Sequence, residues 1–499
     1  MKPEIRAEIR RALQTLPSSP AETTVEPPML KTLYVPQHHA RALDPDSPLV
    51  TGMRGAGKSF WCAALTSADH RRLLAHRLRR ILPTMGTAPV RKQLLRSKVA
   101  WGFGEAKRNS EYPDARIMNE LCKNGADEED IWRTIILWQL SEKDQKLLPG
   151  ANWRERVENL ANDVERSEAA FSQFDKHLSS QGMTTLIVFD ALDRLADDWK
   201  SVRQFVRALL RLALEFRAYR SIRLKVFMRQ DMFEDEMIWQ FSDSSKLHLT
   251  KVDLAWTARD LFGLLWQYLA NADETGHVFR QHVYDTVGYT FIEQDGMFEV
   301  DRVLQINENF QRRIFQSIAG EFMGRDRRRG RTYTWLPNHL GDAAGHASPR
   351  SFLVALRTAA DESKDLEHRH PLHYEAIKRG VVKASEVRRI EMREDYPWIA
   401  ALLEQLRGVA LPCHETDVYR IWKKAGVLSS IQESFAIEDD ELASARLPPR
   451  KLDQGEQGIM DDLIRLNVVY RTSDKRINIP DVYRIGFGLV RRGGVRPTR

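Results

Sequence analysis

Gly52-Met53-Arg54-Gly55-Ala56-Gly57-Lys58-Ser59 sets glycines, a lysine and a hydroxyl in the spacing G-x-x-x-x-G-K-[ST]. Glycines in such a turn let backbone N–H groups wrap an anion, and the N-terminus of a following helix favours its negative charge. That chemistry is phosphate binding. Lys58 is expected to contact the β and γ phosphates of ATP and Ser59 to place its hydroxyl on Mg²⁺, with Gly52, Arg54, Gly55, Ala56, Gly57 and Phe60 completing the cradle.

A second group carries the matching acid. Leu186-Ile187-Val188-Phe189 reads as a buried strand that ends on Asp190 and runs on into Ala191-Leu192-Asp193. A carboxylate at the C-terminal end of a strand lies on the sheet edge where α/β folds bind ligands, next to the phosphate loop if the two strands neighbour one another. Asp190 is the expected Mg²⁺ partner, acting through water, although Asp after a strand is also a favoured helix cap. Asp193 is the nearest further carboxylate and is assigned the base or water-positioning role; a surface Asp at the start of a helix is the alternative.

Two arginines join these acids. Met228-Arg229-Gln230-Asp231 follows another apolar strand, so Arg229 or Gln230 emerges at the same sheet edge as a γ-phosphate sensor, or Arg229 pairs with Asp231 or Asp235 instead. Ser348-Pro349-Arg350 opens an amphipathic helix, where Arg350 is either a second sensor or an ordinary solvated side chain.

These residues need a scaffold. Leu49-Val50-Thr51, the glycine-rich loop and Ser59–Leu65 read as strand, loop and helix, and further strands are expected at 99–103, 184–189, 224–228 and 247–249. Helical stretches fall near 113–122, 127–142, 151–178 and 198–219. Alternating strands and helices predict a parallel α/β sheet covered on both faces. After about residue 255 helical periodicity dominates, as in Asp260–Leu269. Toward the end, helices near 416–426 and 455–466 precede Val468-Val469-Tyr470, a polar turn and Ile477-Asn478-Ile479-Pro480, the pattern of a winged helix. Residues 17–30 read as a linker behind a short N-terminal helix. The resulting division is 1–30 helix and linker, 31–255 phosphate-loop core, 256–405 helical lid with the second sensor, and 406–499 winged helix.

Composition limits the class. The 499 residues, with 42% hydrophobic residues and 12 tryptophans, suit a folded protein of several domains. Cys62, Cys122 and Cys413 are widely spaced and lack a CxxC pair, which argues against a disulfide framework or zinc site. The start mixes Glu with Arg and no stretch of about 18 apolar residues occurs, so a cytoplasmic location without membrane contact is expected. The net charge of +7 is modest, but it is unevenly spread. Basic clusters fall at 71–80, 325–331 and 471–499, and acidic ones at 125–130 and 436–442.

Across roughly residues 30–360 the chain resembles the AAA+ and STAND branch of P-loop ATPases, particularly its replication-initiator-like and NACHT-like groups. Tyr34-Val35-Pro36 to Leu43 precedes the loop as an adenine-side linker would, and Asp190-Ala191-Leu192-Asp193 is similar to the STAND pattern of Asp, small residue, hydrophobic residue and acid. Arg350 is similar in placement to a sensor-2 arginine. The chain also resembles a little-characterised family of bacterial P-loop ATPases, through Arg229-Gln230-Asp231 and Pro480-Asp481-Val482-Tyr483-Arg484. The resemblance implies an α/β P-loop NTPase core, a helical lid and a winged helix, with a homo-oligomer built across the ATP site. Two departures imply slow hydrolysis: Ala191 stands where many AAA+ proteins carry a catalytic Glu, and Arg194 where NACHT-like proteins carry a second acid.

Two uses of ATP remain open. In one, the protein is a DNA-associated nucleotide switch in mobile-element or anti-phage functions, contacting double-stranded DNA through the winged helix and Arg471, Lys475, Arg476, Arg491, Arg492 and Arg496. In the other, it is a STAND-like signalling scaffold that senses a protein or phage ligand and activates a separate effector. The 324–331 loop fits an arginine finger, a nucleic-acid contact or a solvated loop.

Overall fold

Short apolar runs that alternate with helices form a five-stranded sheet from β1 (Leu49–Gly52), β2 (Ser97–Phe103), β3 (Thr184–Phe189), β4 (Ile222–Arg229) and β5 (Val252–Asp253). The order is β2-β3-β4-β1-β5 and every pairing is parallel. The coordinates are a computed structural model that describes residues 1–17, 27–81, 88–364, 366, 368–436 and 447–492. The 18–26 part of the linker, the acidic residues 437–442 and Arg496 lie outside the described residues. The chain divides into one unit of Thr23–Ala255 with Asp440–Arg446, and a second of Met1–Glu22, Trp256–Asp439 and Leu447–Arg499.

In the first unit, connection handedness decides which helices cover which face. The step from β1 to β2 crosses the sheet in the opposite sense to the steps from β2 to β3 and from β3 to β4. Right-handed crossovers therefore put helices Lys58–Thr66, Ala68–Ile81 and Ala88–Arg96 on one face, and the helices between β2 and β4 on the other. With both faces covered, β1 is buried along its whole length and in β3 only Thr184 is partly exposed. Trp132, from helix Glu128–Leu140, anchors the second face by setting its ring edge-on to Phe103, Phe189 and Phe205 and donating its indole N–H to the Phe205 carbonyl at 2.9 Å.

In the first unit three elements differ from the expectation. Leu247-His248-Leu249 lies in helix Ser244–Thr250, and the edge strand is the two-residue β5 just after it. A strand would place Leu247 and Leu249 on one face, yet Leu247 is buried and Leu249 is 84% exposed. The 151–178 stretch is two helices, Trp153–Ala161 and Val164–Ser180, because Asp163 caps the second by accepting from the Arg166 N–H. Finally, the 198–219 helix ends at Glu215 and tightens into a 3₁₀ turn.

The second unit is mainly helical. Phe262 stands at its centre, stacked on Tyr333 at 4.3 Å and touching Phe315 and Phe352. The N-terminal helix Pro3–Gln14 packs here, against helices Gly276–Val287 and Pro349–Ser363, and the Leu16 carbonyl accepts from Arg357 at 2.7 Å. An antiparallel hairpin of β6 (Ile292–Gln294) and β7 (Met297–Glu299), turning at Asp295-Gly296, interrupts a region in which helical periodicity dominates the sequence. The C-terminal region follows with β8 (Ala410–Leu411), β9 (Tyr470–Arg471), β10 (Ile477–Asn478) and β11 (Val490–Arg491). β9 pairs antiparallel with β10, Cys413 bridges Ile477, and helices Pro397–Glu404, Glu415–Ala425 and Gly455–Arg465 enclose a core of Trp398, Trp422, Leu463 and Ile477. This is a winged helix, extended by helices Val427–Ala436 and Asp481–Gly486 and by parallel pairing of β11 with β8. Among the described residues no helix is long and apolar enough to cross a membrane.

Candidate functional site

β1 delivers the glycine-rich loop and helix Lys58–Thr66 leaves it. Gly57 sits at the helix N-cap with φ of 102°, a left-handed conformation that side chains rarely adopt, so the turn into the helix requires glycine. Gly52 is constrained differently: a Cβ there would lie 3.2 Å from the Cβ atoms of both Ala56 and Leu254. Lys58 Nζ donates to the Gly52 and Met53 carbonyls at 3.0 and 3.1 Å, which keeps the amine over the loop. Burial lowers its pKa, opposed mainly by the negative charge of Asp190.

Asp190 directly follows β3 and is 2% exposed. Its backbone N–H is held by the Phe103 carbonyl at 3.1 Å, tying it to the end of β2. Burial raises its carboxyl pKa, and the Ser59 hydroxyl, the Lys58 charge and the Ala191 N–H oppose that rise by stabilising the anion. The structure thus joins Ser59, Lys58 and Asp190, with one difference in how. β1 and β3 are not neighbours, because β4 lies between them. Helix Lys58–Thr66 spans that gap by crossing from β1 over β4.

The interposed strand brings a further group. Arg229, the last residue of β4, is in register with Gly52 of β1. Its guanidinium grips Asp231 with two bonds, of 2.6 and 3.1 Å, and reaches Asp193 at 3.2 Å. Arg229 therefore pairs with Asp231, one of the two partners expected from sequence, while Asp235 is taken by Arg203 at 2.7 Å and the Trp199 indole at 2.9 Å. The Asp193 pairing was not foreseen, since nothing local in sequence links positions 193 and 229. Gln230 turns away to Glu234 at 3.0 Å. Between Asp190 and Asp193 the chain bends at Ala191, whose φ of 55° starts a 3₁₀ turn, Leu192–Arg194. Arg194 pairs with Glu105 at 2.7 Å, away from this cluster.

Asp190, Asp193, Arg229 and Asp231 all lie within electrostatic reach of Lys58. Among the described residues no three His, Cys, Asp or Glu side chains form a metal cage. The Ser59 hydroxyl and Asp190 carboxylate are the donor set that suits Mg²⁺, which keeps waters and takes remaining ligands from phosphates. Ahead of the loop in the chain, residues 37–43 form a 3₁₀ helix where buried His39 meets the Ala255 carbonyl at 2.9 Å and lies edge-on to Trp61 of the loop helix. Burial holds the His39 pKa down to about 3, so the ring is neutral. Phe60 is edge-on to the same Trp61, and Arg54 is partly buried within the loop.

Arg350 belongs to the second unit. It opens helix Pro349–Ser363, capped by Ser348, and its guanidinium bonds Glu391 at 2.9 Å. Glu391 also accepts from Arg388 at 3.0 Å, and Arg388 reaches the Tyr483 hydroxyl at 3.2 Å. Arg350 is thus a member of a buried charge network rather than an ordinary solvated side chain.

No family model and no curated protein matches the chain. Among solved structures it is similar to the ORC2 protein of Aeropyrum pernix, determined as ADPNP-ADP complexes, with 12% identity, 96% of this chain and 95% of that chain covered, and a TM-score of 0.39. It is similar to the ORC1 protein of the same organism in complex with DNA, with 14% identity, 95% of each chain covered and a TM-score of 0.33. For CDC6p from Pyrobaculum aerophilum the identity is 12%, the coverage 88% of this chain and 85% of that chain, and the TM-score 0.29. The chain's own strand order and loop geometry make its fold an α/β phosphate-loop core, a parallel sheet with helices on both faces, followed by a helical region and a winged helix.

Proposed function

We propose that this chain is an AAA+-like ATPase that binds ATP with Mg²⁺, hydrolyses it slowly and acts as a nucleotide-dependent switch associated with DNA. The observation that carries this reading is the convergence of Lys58, Ser59 and Asp190 at the glycine-rich loop, with Arg229 in register beside it. In this reading the loop N–H groups and Lys58 bind the phosphates, and Ser59 and Asp190 hold Mg²⁺. The ion, when bound, neutralises charge on the phosphoryl oxygens. Arg229, steadied by Asp231, senses the γ phosphate.

Slow turnover follows from the acids. Ala191 supplies no carboxylate next to Asp190, and Asp193 is engaged by Arg229. A carboxylate held by a guanidinium is poorly placed to orient water until that pair opens. The winged helix supports DNA association by shape, since such modules place a helix in the major groove. Self-assembly across the ATP site belongs to the same reading.

ATP binding and turnover by wild type, Lys58→Ala and Asp190→Asn, with and without a DNA duplex, test the proposal. Lys58→Ala should weaken ATP binding about 10- to 100-fold, the worth of one or two charge-assisted hydrogen bonds. Equal ATP affinity in wild type and Lys58→Ala would refute the phosphate-loop assignment. A duplex that neither binds nor changes turnover would refute DNA association, and sizing with ATP tests assembly.

A further inference from the structure

The basic residues of the winged helix that sequence assigned to DNA are largely engaged within the protein. Arg471 bonds Glu415 at 2.6 Å and reaches Asp461 at 3.5 Å, Arg476 grips Asp474 at 2.5 and 2.8 Å, and Arg491 lies 3.7 Å from Asp481. Helix Gly455–Arg465, the third helix of the fold and the one that would enter a groove, carries Glu456, Asp461 and Asp462. Among the described residues, Lys475 and Arg492 alone of the wing cations named above form no ion pair.

The loop between Gly320 and Thr332 is the opposite case. Phe322 bridges Arg331, and the Met323 N–H bonds the Gly330 carbonyl at 2.9 Å, closing the loop at its neck. Inside it, the Arg329 and Gly330 N–H groups each bond back three residues at 3.2 Å, forming a turn of 3₁₀ helix. Met323 is buried beneath. The one acid at the tip, Asp326, spends its carboxylate on the Arg328 backbone N–H at 2.8 Å. Arg325, Arg327, Arg328 and Arg329 are all exposed, and none makes an ion pair among the described residues.

We infer that the Arg325–Arg329 loop is a docking surface for the phosphodiester backbone of a nucleic-acid duplex. Four guanidiniums in five residues match the regular, dense negative charge of a duplex, and each planar fork can bond a phosphate through two N–H groups. The loop is already closed by its own backbone bonds, so docking orders only side chains. An acidic protein surface would need carboxylates at a matching density, whereas a duplex presents phosphates at that density everywhere along its length. The inference rests on the proposed DNA association but moves its main electrostatic contact from the wing to the helical part of the unit.

The test uses the full-length protein with ATP and Mg²⁺, and anisotropy of labelled DNA and RNA duplexes over a salt series. Wild type is compared with an Arg325→Ala/Arg327→Ala/Arg328→Ala/Arg329→Ala variant and with Lys475→Ala/Arg492→Ala. Loss of four phosphate contacts should weaken duplex binding about 10- to 100-fold and flatten the slope of log affinity against log salt by about 3 to 4. The loop variant should keep wild-type melting and duplex-free ATP turnover, because these side chains form no ion pair in the fold. Equal loss with both duplexes identifies a shared backbone contact, and loss confined to one identifies which nucleic acid is bound. If the wing variant loses binding and the loop variant does not, DNA association stands and this site falls. Wild type that binds neither duplex overturns both. Binding of polyglutamate without binding of duplex would identify an acidic protein partner and overturn the inference.

Discussion

Replacing Gly102 by alanine is expected to disturb Asp190 without touching it. Gly102 lies in β2 where its register against β3 shifts between Trp101 and Phe103. A Cβ at 102 would sit 2.2, 2.5 and 2.8 Å from Cε1, Cζ and Cδ1 of Phe189, the residue before Asp190. That is about 1 Å inside ordinary contact, against a fully buried ring wedged on Trp132 at 5.4 Å, so the overlap has no flexible end to absorb it. Overpacking of this kind costs about 1–3 kcal/mol, and the lower chain entropy of alanine returns roughly 0.5–1, leaving a net loss of about 1–2 kcal/mol. Phe189→Leu alone should cost about 1 kcal/mol through the space it opens. In the double variant the Leu makes room for the Cβ, so the combined loss should fall at least about 1 kcal/mol below the sum of the single losses. Urea unfolding of the four proteins, followed by tryptophan fluorescence, measures the cycle, and the Mg²⁺ dependence of ATP turnover reports the position of Asp190. Additive losses, or a Gly102→Ala protein as stable as wild type, would refute the close approach of β2 to Phe189.

If Asp190 holds Mg²⁺ as proposed, Asp190→Asn should retain ATP binding but require at least about tenfold more Mg²⁺ for half-maximal turnover, read from a Mg²⁺ titration. Arg229→Ala leaves the buried Asp231 carboxylate without its two-pronged partner and should cost about 3 kcal/mol in chemical unfolding; Arg229→Lys should not restore it, since an ammonium cannot reproduce the fork. Lys225 is wholly buried in β4, donating to the Asp44 and Ser47 carbonyls at 2.8 and 2.5 Å, and burial lowers its pKa from 10.5 to about 8. The unfolded chain therefore binds this proton more tightly, so stability should rise between pH 8 and 10.5 by up to about 3 kcal/mol, and urea unfolding of Lys225→Met should lack that rise. Arg350→Ala should lower the melting temperature modestly, as Glu391 loses its bond to Arg350 but keeps Arg388.

Sequence alone determined the features whose chemistry is local. The glycine-rich loop is legible because the left-handed turn at position 57 suits glycine, and the lysine and hydroxyl that follow it open the helix at the spacing that phosphate chemistry uses. Asp190 is legible because an unbroken apolar run must be a covered strand, and a carboxylate at its end must lie on the ligand edge. The Asp295-Gly296 hairpin was also written locally, in a dipeptide suited to a tight turn, but surrounding helical periodicity masked it. Short signals such as Leu247–Leu249 were ambiguous, since three residues cannot separate a period of 2 from one of 3.6.

Tertiary structure decided what depends on pairs far apart in the chain. It placed β4 between the phosphate strand and the acid strand, which set Arg229 beside Gly52 and closed it onto Asp193, 36 positions away. It tied Arg350 to Glu391, and it showed that Arg471, Arg476 and Arg491 of the wing are engaged while the arginines at 325–329 form no ion pair among the described residues. Composition and spacing count charges along a chain, but whether a charge is available depends on which opposite charge the fold brings within a few ångströms of it.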